Sequence, residues 1–123
     1  MILDTISKTI QIVLGAAVAT NQLPCVASWA DMSGSTFTAG ASDALTNGTT
    51  AVTLVGSPAS GYQRQIKSVS VYNADTASAT VQVLYYNGTT TRTVVDITLQ
   101  VGETLQFGGD NTWSVINNSG QVQ

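Results

Sequence analysis

IKSVSVYNADTASATVQVLYYNGTTTRTVVDITLQVGETLQFGGDNTWSVI, residues 66–116, is the stretch whose reading decides the fold. Val69 and Val71 fall on one face of its first run, with Ser68 and Ser70 on the other. Val81, Val83 and Tyr85 alternate with Thr80, Gln82 and Leu84, and Thr93, Val95, Ile97 and Leu99 oppose Val94, Asp96 and Thr98. Leu105 with Phe107, and Trp113 with Val115, repeat a period of two residues, that of a half-buried strand. Turn formers separate the runs at Asn73–Asp75, Asn87-Gly88, Val101–Glu103 and Gly108–Asn111. The pattern predicts a β-meander from Ile66 to Ile116.

The composition sets the frame for the rest. A chain of 123 residues makes about one domain and is long enough to bury a core. Hydrophobic residues reach 43%, which argues against disorder, yet only 9% are charged, against roughly 25% in ordinary soluble domains. The surface is instead supplied by hydroxyls, with 18 Thr and 12 Ser, a choice that suits strands and costs little to desolvate against a partner. The four basic residues Lys8, Arg64, Lys67 and Arg92 are scattered through a chain of net charge −3. No cationic cluster is available for nucleic acid or for a membrane surface, so neither is expected as a partner. The lone Cys25, inside the apolar run LPCVASW, reads as a buried thiol.

Upstream of the deciding stretch the signals are shorter. Ile2, Ile6, Ile10, Val13 and Ala17 keep a helical spacing, while Ile10, Ile12 and Leu14 keep a strand spacing. The density of Thr, Ile and Val favours a strand over Lys8–Leu14, preceded by a short helix or an extended arm over residues 1–7. IVLGAAVAT imitates the apolar core of a signal peptide, but Asp4 spoils the basic leader and Gln11 interrupts the run. That apolar run is also shorter than the roughly 20 residues a bilayer span needs. A second strand is expected within Asn21–Ala30, with Pro24 at its start and Cys25, Ala27 and Trp29 sharing a face. Asp31–Asp43, rich in Gly and Ser, reads as a long surface loop with a short strand and one anchor, Phe37. Leu45–Val55 reads as a hairpin around Asn47-Gly48, and Gly56–Gln65 as a second loop. The tetrapeptide NGTT occurs at 47–50 and again at 87–90, an echo that convergence on good turn chemistry accounts for.

Side chains able to carry catalysis are scarce. The absence of histidine removes the usual general base, the common nucleophile triads and most metal sites. Of the seven acids, all but Asp96 fall in apparent turns or the arm, where capping backbone donors is the expected role. A glycosidase needs two acids facing across a cleft, which spacing alone does not exclude for distant residues. A loop calcium site at Asp110 with Asn111, or at Asp75 with Asn73, lacks the ligand-loop spacing. Asn47, Asn87 and Asn117 fit the glycosylation pattern, although turn chemistry explains the first two. Tyr85 and Tyr86 alternate in direction, so they do not make one sugar platform, and Trp113 reads as a lid on the core. No catalytic, metal or cofactor site is assigned.

VLGAAVATNQLPCVASWAD, VTLVGSPASGYQRQIKSVSVYNADTASATVQV after the first NGTT, and LQVGETLQF followed by GGDNTWSVINNSG together resemble small structural proteins of tailed bacteriophages. The resemblance covers nearly the whole chain, and its most specific parts are the VYNADT turn and the ending from Leu99 to Gly120. It implies a virion component on the outer capsid surface, a head decoration (cement) protein whose partner is the major capsid protein. The low charge fraction, with more apolar and hydroxylic strand surface than one small sandwich hides, adds further copies of the chain as partners, as a trimer. The fold expected is a single all-β domain over residues 8–123, a small jelly-roll-like sandwich with an N-terminal arm. Ile2, Leu3, Ile6, Phe37 and Tyr62 are the expected contact residues. The alternative is a receptor- or glycan-binding module of a head or tail fibre, using Phe37, Tyr62 and Trp113.

Overall fold

Period-two alternation becomes strands throughout the computed structural model, which describes every residue from Met1 to Gln123. They are β1 (Ile2–Leu3), β2 (Thr9–Leu14), β3 (Pro24–Ser33), β4 (Thr36–Leu45) and β5 (Val52–Val55), then β6 (Gln63–Tyr72), β7 (Ala79–Tyr86), β8 (Thr91–Leu99), β9 (Thr104–Phe107) and β10 (Trp113–Ile116). There is no helix. One sheet has the order β10-β9-β6-β3-β4, with β1 added to β6, and the other has the order β5-β2-β7-β8. The two sheets close on one core. Ile10, Ile12, Val81 and Val83 meet Cys25, Val69, Val71 and Leu105, all buried. Each large aliphatic side chain removed from water contributes roughly 1.5–3 kcal/mol.

The strands between Ile66 and Ile116 are where the alternation puts them, but they do not form a meander. Only β7 with β8, and β9 with β10, pair as neighbours in sequence, while β6 pairs with β9 across the chain. Alternation reports which faces are apolar and is blind to the sheet a strand joins. The sheet changes are made at Asn73–Asp75 and at Gln100–Glu103, which meet at one corner. The Asn73 N–H donates to the Glu103 carbonyl (2.9 Å), and the Gly102 N–H, with φ +82° at that residue, returns a bond to the Asn73 carbonyl (3.0 Å). Asp75, nearly fully buried, accepts N–H bonds from Ala19, Thr20, Asn21 and Thr76 at 2.8–3.0 Å. Those donors hold its carboxyl well down, to about 2, the Asn21 N–H contributing most.

One expected loop and one expected hairpin are also different, and the second loop, Gly56–Gln65, gives its last three residues to β6. Residues 31–43 are the end of β3 and most of β4, joined by the two-residue turn Gly34-Ser35 with φ +58° at Gly34. A glycine with positive φ in the first turn position matches the twist of the flanking strands. β4 is an edge strand that turns most of its residues to solvent, so it has no need of the apolar alternation by which strands are recognised. Nor is Leu45–Val55 a hairpin. β4 belongs to the six-stranded sheet and β5 to the other. The Asn47–Thr50 turn forms as its sequence demands, with Thr50 N–H donating to the Asn47 carbonyl (3.0 Å), but it carries the chain between sheets.

Leu3 requires a further correction. Expected among the contact residues of a free arm, it is fully buried, opposite Arg64 on β6, and belongs to the core. β1 occupies the part of the β6 edge that β9 leaves open, since β9 pairs only with Val69–Tyr72.

Candidate functional site

The exposed members of the expected contact set come together at one end of the six-stranded sheet. Alternation in β1 sends Leu3 inward and leaves Ile2 about half exposed (48%) opposite Gln65. The chain then turns at Thr5–Lys8, where the Lys8 N–H donates to the Thr5 carbonyl and Asp4 pairs with Lys8. That turn raises Ile6 into solvent at 64% exposure. Across from it, the loop ending β5 closes with the Tyr62 N–H on the Ala59 carbonyl (3.0 Å). Ile6 and Tyr62 line one open groove of about 380 Å³ together with Asp4, Thr5, Ser60 and Gln63.

Phe37 lies beside this groove on the same sheet. Met32 pairs with Gln63 on one side and with Phe37 on the other, so Phe37 stands about 10 Å from Gln63 across two strand spacings. Phe37 is 62% exposed. Ile2, Ile6, Phe37 and Tyr62 therefore share one end of the molecule. Trp113 does not join them. It sits half-buried on β10, 5.0 Å from Phe107 between ring centroids, where it packs against the core as the sequence suggested.

The interior behind this end is fixed by an ion pair. Arg64 Nε and Nη2 bond Asp31 Oδ1 and Oδ2 at 2.8 and 3.0 Å, and Nη1 bonds the Gly56 carbonyl at 2.9 Å. The guanidinium stands 4.4 Å from the centre of the Trp29 ring. A two-pronged Arg–carboxylate bond, a third bond to a backbone carbonyl and a cation over an indole make a rigid support. Asp31 and Asp43, read from the sequence as turn residues, lie in β3 and β4.

The outer face of the same sheet carries little charge. Its outward positions are small, hydroxylic or apolar, as at Val26, Ser28, Met32, Ser68, Ser70 and Tyr72. Asp43 and Lys67 are the exposed ionised groups on its strands β3, β4 and β6, and Lys67 bonds Gln65 at 3.0 Å. Sequence reasoning placed Val26 opposite Cys25, Ala27 and Trp29, where it stands, but missed Met32 because it assigned that residue to a loop. The signal was present in Gly34-Ser35, a Gly-first pair that reads as a two-residue hairpin turn.

No three Cys, Asp or Glu side chains converge as metal ligands. Cys25, fully buried, has its thiol pushed up to about 12 by desolvation, which keeps it un-ionised and inert. What the arrangement supplies is surface: a rigid β-sandwich with an ion-poor sheet face ending in an apolar cluster. Comparison with known proteins gives no match to a protein-family model, a curated protein or a solved structure.

Proposed function

We propose that this chain is a structural protein of a phage virion, a decoration protein that binds the outer surface of the head and stiffens it. The observation that carries the reading is the gathering of Ile2, Ile6, Phe37 and Tyr62 at one end of an ion-poor sheet. Such a surface is desolvated at little cost, and a few apolar anchors repeated over many copies oppose outward pressure from packaged DNA. The resemblance of the VYNADT turn and the Leu99–Gly120 ending to tailed-phage structural proteins points the same way. The major capsid protein is the partner on this reading. Particles lacking the protein are expected to lose heat or osmotic resistance and to regain it when purified protein is added back. Ile6→Asp should abolish the rescue. Particles that lack the protein, stay heat-resistant and fail to adsorb to cells would overturn the proposal.

One observation favours a second reading. The groove at Tyr62 combines an aromatic ring with the carboxylate of Asp4, the hydroxyl of Ser60 and the amide of Gln63. That mixture suits a sugar ring, so a glycan-binding module of a head or tail fibre is the competitor. It requires Tyr62→Ala to abolish adsorption, whereas the decoration reading leaves adsorption unchanged.

A further inference from the structure

The four sheet edges are not equally guarded. β5 is four residues long and its Leu54 carbonyl is engaged by the Ser42 hydroxyl of β4. β8 carries Arg92 and Asp96 and is irregular in register opposite Val83/Leu84. β10, also four residues, is covered by the chain's last residues, with Val122 bridging Ile116 and the Gln123 N–H on the Val115 carbonyl. Short strands, charges, bulges and covering segments are the means by which proteins keep edges from pairing. β4 has only one of them, the single acid Asp43: it runs ten residues with no proline, no lysine and an unbroken register against β3.

We propose that β4 pairs antiparallel with β4 of a second copy of this chain, about a twofold axis at Ala41. The two-residue turn at Gly34-Ser35 makes Ser33 and Thr36 a hydrogen-bonded pair, so the even-numbered residues of β4 bond to β3. Phe37, Ala39, Ala41, Asp43 and Leu45 then turn their N–H and C=O groups to the free edge. Centred on Ala41, the register brings all five into hydrogen-bonded pairs, about ten bonds in all. Ala41 faces its own copy, Ala39 faces Asp43, and Phe37 faces Leu45.

That register is self-complementary in chemistry as well as in bonding. Phe37 and Leu45, 62% and 61% exposed, lie on the same outer face and cover each other twice, once on each side of the axis. The single charge causes no conflict, because Asp43 opposes alanine. The two Asp43 carboxylates are about 13 Å apart along the strands. That is more than the ~10 Å Debye length at 0.1 M salt. A shift of the axis to Gly40 would set Asp43 against Phe37 and leave Leu45 without a partner. A charged peptide finds no countercharge on this edge, and a second copy finds its own complement. The contact joins two six-stranded sheets into one and closes as a dimer, unlike the trimer expected from the composition. It does not depend on the decoration reading.

The test is sedimentation and native mass spectrometry of the whole chain at micromolar concentration, where the expected species has twice the 12.7 kDa of one chain. Ala41 is exposed, and Ala41→Lys sets two ammonium groups against each other at the axis. Its dimer dissociation constant should rise at least about tenfold with an unchanged far-UV spectrum. Ala41→Cys should link to itself on mild oxidation, since opposed Cα atoms about 5.5 Å apart are within disulfide reach. Ala39→Cys should link only when mixed with Asp43→Cys, and the wild type, with Cys25 buried, should not link. A wild-type monomer or trimer, a dimer indifferent to Ala41→Lys, or an Ala41→Cys variant that fails to self-link would each overturn the proposal.

Discussion

Asn73 donates from Nδ2 to the backbone carbonyl of Leu99 at 3.0 Å, which ties the departure of one sheet crossing to the last residue of the strand from which the other leaves. The same nitrogen reaches the Ala77 carbonyl (3.0 Å), and Oδ1 accepts the Asp75 N–H (3.0 Å). Asn73 is fully buried, so its side-chain amide, and the Leu99 carbonyl and Asp75 N–H it meets, have no water as a substitute. Asn73→Ala should therefore destabilise the fold by about 2–4 kcal/mol, the cost of leaving buried donors and acceptors unpaired. Urea unfolding of the two proteins measures it, and a change below about 1 kcal/mol would show that the corner closes without the side chain.

The largest acid-sensitive contribution should come from Asp75. Its folded value, about 2, lies below the ordinary 3.8, so falling pH protonates the unfolded chain first. The stabilisation is complete above about pH 4 and is lost as the pH falls through 2. Asp4 and Asp110 are lowered as well, by bonds to Lys8 and Thr112, so the wild-type curve slopes for more than one reason. Asp75→Asn should lower Tm at pH 7 and flatten its fall between pH 4 and 2. Parallel Tm curves for the two proteins would remove Asp75 from the account.

Gly40 faces Trp29 across the β3–β4 pair. A Cβ there would stand 2.8 Å from the indole Nε1 and 2.9 Å from Cε2, closer than atoms pack. Gly40→Ala should displace the ring from beneath Arg64, costing about 1–3 kcal/mol as overpacking does. A shifted tryptophan emission spectrum should accompany the loss, and unchanged emission with unchanged stability would count against it.

Leu3→Ala should cost about 2–5 kcal/mol, the range for truncating a buried leucine. Removing residues 1–7 should cost more, because the Met1 carbonyl that accepts the Ile66 N–H (2.8 Å) goes with it and the β6 edge is left bare. Thermal unfolding of both variants decides between a core strand and a dispensable arm.

Where apolar and polar residues alternate, the sequence was sufficient: β2, β6, β7 and β9 could be placed from Ile10, Val69, Val81 and Leu105 alone. It failed at β4, whose Thr, Ala, Gly and Ser residues bury almost nothing and leave no hydrophobic signal. NGTT shows why pairing was harder than strands. At 87–90 the Asn87 side chain accepts the Thr89 and Thr90 N–H groups and closes a true hairpin. At 47–50 the same tetrapeptide makes a turn between strands of different sheets. The tetrapeptide is the same but its bonds are not: the Thr50 N–H closes the first on the Asn47 carbonyl, and the Asn87 N–H closes the second on the Thr90 carbonyl. The sheet each strand joins is chosen by burial of residues far away. The apolar end was legible as single exposed residues, but Ile6 meets Tyr62 only through the groove that folding creates.

Six of the nine links between successive strands change sheet, leaving the three hairpins β3–β4, β7–β8 and β9–β10. During synthesis, β1 and β3 must wait for β6, β2 for β5 and β7, and β6 for β9. At ~5–20 residues per second, the interval from the first strand to Phe107 is on the order of ten seconds. The chain therefore leaves the ribosome largely unfolded, with slow, non-local pairing still ahead. The first strand pair whose two members are made in succession is the β3–β4 hairpin, marginal until β6 joins it and the one with the unguarded edge. Yield in an expression host should accordingly rise at low temperature and low expression rate, where nascent hairpins meet each other less often than they meet β6.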